Sequence, residues 1–315
     1  MVRTLIFGPV PSRRLGKSLG INNIPYKHCS YSCLYCQVGK TIKKQVSRCE
    51  FYDPDLLADG VRKYLDALSE EDMPDYVTIV ANGEPSLDLN LGFLIKKMKQ
   101  NGLPVAVITN ASLITSKEVR EELGQADYVS VKVDTMNEKT WKTLNRPHSS
   151  LVLQHIKDSL LIFKEDYSGK LVTETMLVKN VNDSESEIYE TSAFISSIFP
   201  DIAFISIPTR PTAFNKAYRP AEGNLVKAYA IFEQRGLHTE FLIGYEGNAF
   251  ASSGNFTKDI LSITAVHPMR REAVLELLQK SKSSERELNL LLSYGMIKEI
   301  TYNNQVYYQR NFSKK

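Results

Sequence analysis

The sequence predicts an α/β protein built from repeated strand and helix units. Short runs rich in β-branched and aromatic residues alternate with longer stretches whose apolar residues recur every three or four positions. The chain is also long enough for a large core, because 43% of its 315 residues are hydrophobic. Strands joined through helices lie parallel with right-handed crossovers, which favours an α/β barrel or an open wound sheet.

Six segments have the composition of buried strands, and six stretches have helical spacing. The predicted strands are residues 19–24, 76–81, 105–109, 128–134, 171–178 and 203–208. The predicted helices are residues 54–68, 91–100, 117–123, 152–164, 185–199 and 222–234. This gives six strand–helix units, too few for a complete eight-unit barrel.

The segment before the first predicted strand, residues 7–20, is too rich in Gly, Pro and Ser for a regular element. We therefore expect a loop that closes one end of the barrel. Its Arg13, Arg14 and Lys17 are candidates to meet a phosphate or an acidic substrate, and a solvated basic turn is the alternative.

From about residue 262 the pattern changes. Residues 271–279 have helical spacing, a second helix follows a polar cap at Ser283, and two alternating runs, 296–302 and 305–310, flank Asn303-Asn304. This order predicts a small winged-helix-like domain over residues 259–315, after a barrel over residues 1–258. Arg286 is one of few basic residues on its second helix, which favours docking of protein or of an RNA backbone over reading of DNA bases.

Charge and composition exclude some classes of function. Lys and Arg outnumber Asp and Glu by 39 to 36, so the chain as a whole has no strong nucleic-acid footprint. The absence of an apolar N-terminal segment or another long apolar run argues against export and membrane insertion. With three clustered cysteines that suit a reducing compartment, we expect a cytoplasmic protein without a membrane partner.

Three cysteines fall within eight residues, as Cys29, Cys33 and Cys36. A C-x3-C-x2-C loop can bind three irons of a [4Fe-4S] cluster while the fourth iron keeps an open position for chemistry. The alternatives are buried free cysteines, a redox pair, or a zinc site completed by His28. A zinc site normally needs a second ligand pair, and only Cys49 is left in the chain.

This loop, with Tyr35 directly before its third cysteine, resembles the cluster loop of the radical S-adenosylmethionine (radical SAM) superfamily. The resemblance implies a partial (β/α)6 TIM-like barrel, a [4Fe-4S] cluster held by the three cysteines, and S-adenosylmethionine bound at the open iron. One electron from the cluster, supplied by a donor such as flavodoxin or ferredoxin, would then give a 5'-deoxyadenosyl radical that abstracts hydrogen from a substrate. Tyr35 would lie near the adenine.

Two polar motifs follow the predicted strands. Asn82-Gly83-Glu84-Pro85 resembles the Gly-Gly-Glu motif of the superfamily, with Asn in place of the first glycine, and this implies contact with the methionine moiety of S-adenosylmethionine. A plain strand-to-helix turn is the alternative, since Asn, Gly and Pro are common turn residues. Asn110 follows the next strand and is a weaker candidate for the same cofactor.

Charged residues on later strands are candidates for catalysis or substrate binding. Lys132 and Asp134 point to the same side of their predicted strand, as cofactor or substrate contacts or as a simple buried ion pair. Glu174 on the next strand is a similar candidate. Arg210 follows the last predicted strand and suits a carboxylate or phosphate, unless it is an ordinary surface arginine.

Together with residues 7–20, these motifs resemble a radical SAM subgroup of iron-sulfur oxidoreductases related to the tRNA wyosine synthases. Those synthases carry a second cluster built from cysteines ahead of the loop, whereas no cysteine precedes Cys29 here. We expect an enzyme acting on a macromolecular substrate, by tRNA or by protein or peptide modification, with Cys49 an ordinary residue. The alternative is a noncatalytic iron-sulfur sensor or binding protein whose winged-helix tail docks nucleic acid.

Overall fold

The computed structural model describes residues 5–214, 216–244, 250, 252–302 and 304–311. In this part of the chain the strands, in chain order, are β1 (Ile6–Ser12), β2 (Gly16–Ile21), β3 (His28–Cys29), β4 (Lys43–Lys44), β5 (Tyr76–Ile79), β6 (Val105–Thr109), β7 (Tyr128–Lys132), β8 (Lys170–Met176), β9 (Ile202–Ser206), β10 (Thr239–Leu242), β11 (Met269–Arg270), β12 (Ile297–Tyr302) and β13 (Gln305–Arg310). The helices are α1 (Pro54–Leu65), α2 (Leu91–Lys99), α3 (Lys117–Leu123), α4 (Glu138–Leu144), α5 (Leu153–Asp166), α6 (Glu185–Ile198), α7 (Glu222–Gln234), α8 (Phe256–Val266), α9 (Arg271–Lys280) and α10 (Glu285–Ser293), with short 3-10 turns at Glu70–Asp72 and Pro85–Leu87. None of these helices combines the length and the apolar character that crossing a membrane requires.

The main sheet has the order β1-β2-β5-β6-β7-β8-β9-β10. Every pair from β2 to β10 is parallel, and β1 adds an antiparallel edge strand. Because neighbours in space are also neighbours in sequence, the sheet does not reverse its order as a doubly wound sheet does. The predicted partial α/β barrel is confirmed.

The side chains that point into the barrel differ between its two ends. At the amino end the inward side chains are mainly apolar and pack into a plug of Leu15, Ala106, Tyr128, Val172, Phe204 and Leu242. Toward the carboxyl ends the same faces carry Lys132, Glu174 and Ser206, two or four residues further along. The plug closes one end, so polar chemistry is confined to the other end.

Residues 7–20 form a hairpin of β1 and β2, so the expectation of a loop was wrong. Pro9 and Pro11 are tolerated because β1 is an edge strand, where a missing N–H costs no internal ladder bond. Gly16 enters β2 at φ +65, and a Cβ there would lie 2.2 Å from Asp75 Oδ2. The first parallel strand, β2, therefore begins at Gly16, three residues before the predicted strand of residues 19–24.

The six-unit count was also too low. In the described residues β10 is a seventh parallel strand, and α4 and α8 are further helices outside the prediction. Strand β10 escaped prediction because Glu240 and Phe241 both remain partly exposed, so its four residues have neither a buried run nor a clean alternation.

The C-terminal part contains α8, α9 and α10 and a sheet of order β11-β13-β12. Asn304 adopts the positive φ expected of the hairpin turn, whereas Asn303 lies outside the described residues. The core of this part includes Phe7 and Val10 of β1 beside Phe256 and Ile260 of α8. The division at residues 258 and 259 falls inside α8, and the two-domain description stays a prediction.

Candidate active site at the barrel mouth

A cavity of about 270 Å³ opens where the parallel strands end at their carboxyl side. Its lining includes most of the predicted site residues: Cys29, Cys33, Tyr35, Cys36, Asn82, Gly83, Glu84, Asn110, Lys132 and Arg210. Arg13, Arg14, Lys27 and Glu174 line it as well. Two predicted residues lie behind the wall instead, because Pro85 starts the buried turn Pro85–Leu87 and Asp134 is buried next to Tyr35.

Each cysteine of the loop accepts a hydrogen bond from a different side chain. Lys27 Nζ donates to Cys36 Sγ at 3.1 Å, Asn110 Nδ2 to Cys29 Sγ at 3.7 Å, and Asn145 Nδ2 to Cys33 Sγ at 3.6 Å. All three thiols are free of disulfides. N–H donors around sulfur stabilise thiolates and tune the reduction potential of a cluster bound to them.

The surroundings shift the pKa values of the three thiols in different directions. Burial raises the pKa of Cys29 to about 11 and also raises the pKa of Cys33. Burial acts in the same direction on Cys36, but the ammonium group of Lys27 and the backbone N–H groups of Val38 and Gly39 together outweigh it, so the pKa of Cys36 is lowered. Lys27 is itself only 2% exposed, and the nearby sulfurs raise its pKa against the effect of burial. A buried cation beside three sulfurs suits a site that holds anionic ligands.

The loop fits a cluster better than a single metal ion. Among the described residues, no three His, Cys, Asp or Glu side chains converge as ligands of one ion must. A [4Fe-4S] cluster does not require that convergence, because each thiolate binds its own iron. His28, the fourth ligand of the zinc alternative, does not line the cavity of the cysteines, and its ring packs edge-on against Phe51 with centroids 5.6 Å apart.

The turn Asn82-Gly83-Glu84 is locked against the start of the cysteine loop. Lys27 N donates to Asn82 O at 3.0 Å, and Glu84 N donates to His28 O at 3.1 Å. A Cβ on Gly83 would lie 1.7 Å from His28 O, so only glycine permits this approach. Asn82 Oδ1 is buried in this wall without a hydrogen-bond partner among the described residues, which leaves an acceptor for a ligand N–H or O–H group.

The Glu84 carboxylate joins two strand ends. It accepts hydrogen bonds from Ser86 N and Oγ at 3.0 and 2.6 Å, Thr109 Oγ1 at 2.6 Å and Asn110 N at 2.7 Å. Burial raises its pKa, and these donors oppose the rise. Asn110 then continues the network, since its Nδ2 also donates to Ser30 Oγ at 2.9 Å inside the cysteine loop. Glu84 and Asn110 thus hold both motifs in one rigid wall.

Lys132 and Asp134 do not pair with each other, as the simple ion-pair alternative required. Lys132 Nζ lies 2.5 Å from Glu174 Oε1, and Arg14 binds the other oxygen of the same carboxylate. Burial alone would raise the pKa of Glu174, but Arg14 and Lys132 lower it to about 2. Lys132 also lies over the ring of Tyr35, 5.5 Å from its centroid.

Asp134 instead supports the cysteine loop from behind. It accepts hydrogen bonds from Tyr35 OH, from Asn145 Nδ2 at 2.6 Å and from Met176 N at 2.9 Å. Burial raises the pKa of Asp134, and Lys132 opposes the rise. Because Asn145 also donates to Cys33 Sγ, Asp134 positions both the ring of Tyr35 and the amide that bonds this sulfur.

Arg210 is 9% exposed, so it is not the surface arginine of the alternative interpretation. Its guanidinium donates to Gln37 Oε1 at 2.8 Å and lies 3.1 Å from His267 Nε2.

Lys17 is outside the site and bonds Asp75 and the Glu71 carbonyl on the surface. Lys27 and Asn145 were not predicted from the sequence. The position of Lys27, two residues before Cys29, was a local signal, whereas nothing near Asn145 in the sequence points to the cysteines.

Comparison with known proteins identifies relatives for this architecture. The family model described as the Radical SAM superfamily matches residues 23–191. A UPF0026 protein from Methanocaldococcus jannaschii is 42% identical over 314 residues, which cover 99% of this chain and 98% of that protein.

The fold also occurs in solved structures of other proteins. SuiB from Streptococcus suis, bound to S-adenosylmethionine, aligns with a TM-score of 0.53 and 17% identity over 72% of this chain and 51% of its own. This chain therefore spans about half of SuiB. A radical SAM methyltransferase from Sphaerobacter thermophilus aligns with a TM-score of 0.55 and 13% identity over 72% of this chain and 66% of its own.

Proposed function

The chain belongs to the radical SAM superfamily of enzymes, and from this premise we propose that it cleaves S-adenosylmethionine reductively and uses the product radical to abstract hydrogen from a macromolecular substrate. A bound [4Fe-4S] cluster supplies the electron for that cleavage. The observation that carries the proposal is the set of three free thiols, each with its own N–H donor, beside the Gly83 turn in one cavity.

Cys29, Cys33 and Cys36 would hold the cluster. Lys27 offsets thiolate charge at Cys36, and the amides of Asn110 and Asn145 orient toward the other two sulfurs. Since thiolates are the ligands, the lowered pKa of Cys36 favours metal binding there, while the other two thiols lose their protons as metal binds.

The wall from Asn82 to Glu84 would hold S-adenosylmethionine. The unpartnered Asn82 Oδ1 suits its ammonium or a ribose hydroxyl, and Gly83 allows the ligand and backbone to approach closely. Because the Glu84 carboxylate already accepts from four donors, its role is to hold the wall rather than to bind as a free charge. Pro85 starts the turn behind it.

Other residues that line the cavity or support its wall would orient the adenine of S-adenosylmethionine and the substrate. Lys132 and Arg210 are proposed as contacts to S-adenosylmethionine or substrate, and Tyr35 as the surface against which the adenine packs. Asp134 acts as a positioning residue, because it holds Tyr35 and Asn145.

The substrate is proposed to be an RNA or a protein, with flavodoxin or ferredoxin as electron donor and the cytoplasm as compartment. The helices and hairpin of residues 256–310 support the winged-helix-like assignment, since α9, α10 and the β12–β13 hairpin follow in that order. Gln309 Nε2 donates to Gln37 O at 2.8 Å, which brings this hairpin to the cysteine loop and allows it to present a large substrate there.

The decisive experiment is anaerobic. The protein is reconstituted with iron and sulfide, S-adenosylmethionine and dithionite are added, and 5'-deoxyadenosine is quantified for wild type, Cys33→Ala and Cys49→Ala. Cys49 is the matched control, because its sulfur lies outside the cavity and contacts Gln45 at 3.5 Å.

We expect cleavage in wild type and Cys49→Ala and none in Cys33→Ala. An intact cluster that binds S-adenosylmethionine without cleaving it, even with cell RNA and protein extracts present, would favour the noncatalytic sensor instead.

A further inference from the structure

A second cavity, of about 300 Å³, adjoins the barrel mouth. The two cavities share Ile207, Pro208, Thr209 and Arg210, the segment that follows β9. A molecule that fills the second cavity therefore lies next to the cavity that contains the cysteines.

The C-terminal hairpin builds the outer wall of this second cavity. Tyr307 OH donates to Thr209 O at 3.1 Å, and Tyr302 OH donates to Pro208 O at 3.3 Å. Gly244, which follows β10, also lines the cavity, and Arg13 donates to its carbonyl at 2.9 Å. The cavity thus needs both the barrel and the C-terminal sheet.

Three of the ten described lining residues are arginines. Arg210, Arg219 and Arg270 all contribute, and none of the described lining residues is acidic. Arg270 is held in place, since its Nε donates to Tyr307 OH at 3.3 Å and its guanidinium lies 5.9 Å from the ring centroid. Arg219 is exposed at the rim, where a further cavity formed with Lys179 adds one more cation.

The number of guanidinium groups favours phosphate over carboxylate. One guanidinium fork satisfies both oxygens of a carboxylate, whereas a phosphate monoester has three acceptor oxygens and a charge near −2. Arg219 and Arg270, next to an Arg210 that is already bonded to Gln37, match the larger charge and the larger number of oxygens. The chain as a whole carries a formal charge of only +3, so its overall charge does not account for this local group of arginines.

We propose that the second cavity binds a phosphate group of the substrate through Arg219 and Arg270, and so places the rest of that substrate in the barrel mouth. This inference rests on the proposed function only for the reaction that follows; the binding of phosphate does not depend on it. The phosphate can belong to a small phosphate monoester or to the backbone of a nucleic acid. Both present non-bridging phosphate oxygens to the arginines, three in a monoester and two in a backbone diester.

The test measures binding, not cleavage. Inorganic phosphate is titrated into the anaerobically reconstituted protein by calorimetry at fixed low ionic strength, for wild type, Arg219→Gln and Arg270→Gln. Losing one charge-assisted contact should weaken binding about tenfold in each variant. Arg235→Gln is the matched control, because Arg235 also stacks on a tyrosine, Tyr189, at 4.1 Å but lies outside both cavities.

Unchanged phosphate affinity in both variants, or acetate binding as well as phosphate, would overturn the inference. Arg219→Gln keeps the test valid if Arg270→Gln unfolds, since Arg219 is exposed. Ribose 5-phosphate and a short single-stranded RNA are then compared: tighter binding of either one, lost in the same variants, identifies the phosphate source. Phosphate binding without 5'-deoxyadenosine formation would contradict the proposed function alone, and the reverse would contradict this inference alone.

Discussion

Replacing Glu174 by Gln should destabilise the protein by about 3 kcal/mol at pH 7. The carboxylate is 2% exposed and lies between Arg14 and Lys132, which lower its pKa from 4.5 to about 2. Such a lowering corresponds to about 3 kcal/mol of preferential stabilisation of the charged form in the folded state. Gln keeps the shape but leaves two partly buried cations without their counter-charge.

The sign of the pH dependence follows from the lowered pKa. The contribution of Glu174 is complete above pH 4.5 and is lost as pH falls toward 2, so the difference between wild type and Glu174→Gln should shrink over that interval. Urea unfolding of the cluster-free protein, followed by circular dichroism, measures the free energy of unfolding without a contribution from metal loss.

The matched control is Glu138→Gln. Glu138 pairs with Lys142 at 2.6 Å, nearly the distance of the Lys132–Glu174 pair, but both side chains are more than 60% exposed. Solvent screening leaves such a pair little net value, so we expect little change. Equal effects of the two substitutions, or a Glu174→Gln deficit that does not depend on pH, would refute the reasoning.

Two further substitutions test the site itself. Gly83→Ala should abolish 5'-deoxyadenosine formation, because its Cβ would meet His28 O at 1.7 Å and separate the turn from the cysteine loop; Gly223→Ala, with no atom within 4 Å of the new Cβ, should keep wild-type activity. Lys27→Met should shift the reduction potential of the reconstituted cluster to more negative values by on the order of 60 mV, the equivalent of about 1.4 kcal/mol for one electron, since it removes a cation 3.1 Å from Cys36 Sγ. Lys40→Met removes the same charge at an exposed position and should leave the potential, measured by electron paramagnetic resonance titration, unchanged.

Local sequence was sufficient for much of this structure. The helical spacing of residues 117–123 and 222–234 gave the observed bounds of α3 and α7, because amphipathic packing repeats with every turn of a helix. The cysteine loop and the Asn82–Pro85 turn were also local signals, and parallel strands bring their carboxyl ends to one edge of the sheet.

Contacts that depend on register could not be predicted in this way. Lys132 lies directly opposite Glu174 only because β7 and β8 pair in that register, and a shift by one residue would have turned the two side chains to opposite faces. Asn145 reaches Cys33 from the end of α4, 112 residues away in sequence. The edge strand β1 is stabilised by its pairing with β2 and by α8, and neither partner is visible in its own Gly- and Pro-rich sequence.

The shared core of β1 and α8 also governs when the protein can mature during its synthesis. Phe7 and Val10 leave the ribosome long before Phe256, Ile260 and Tyr308, with which they share a core. Until then β1 lacks its apolar cover, and the Gln309 contact to the cysteine loop cannot form. The cysteine loop therefore gains this support only after the C-terminal hairpin has been translated.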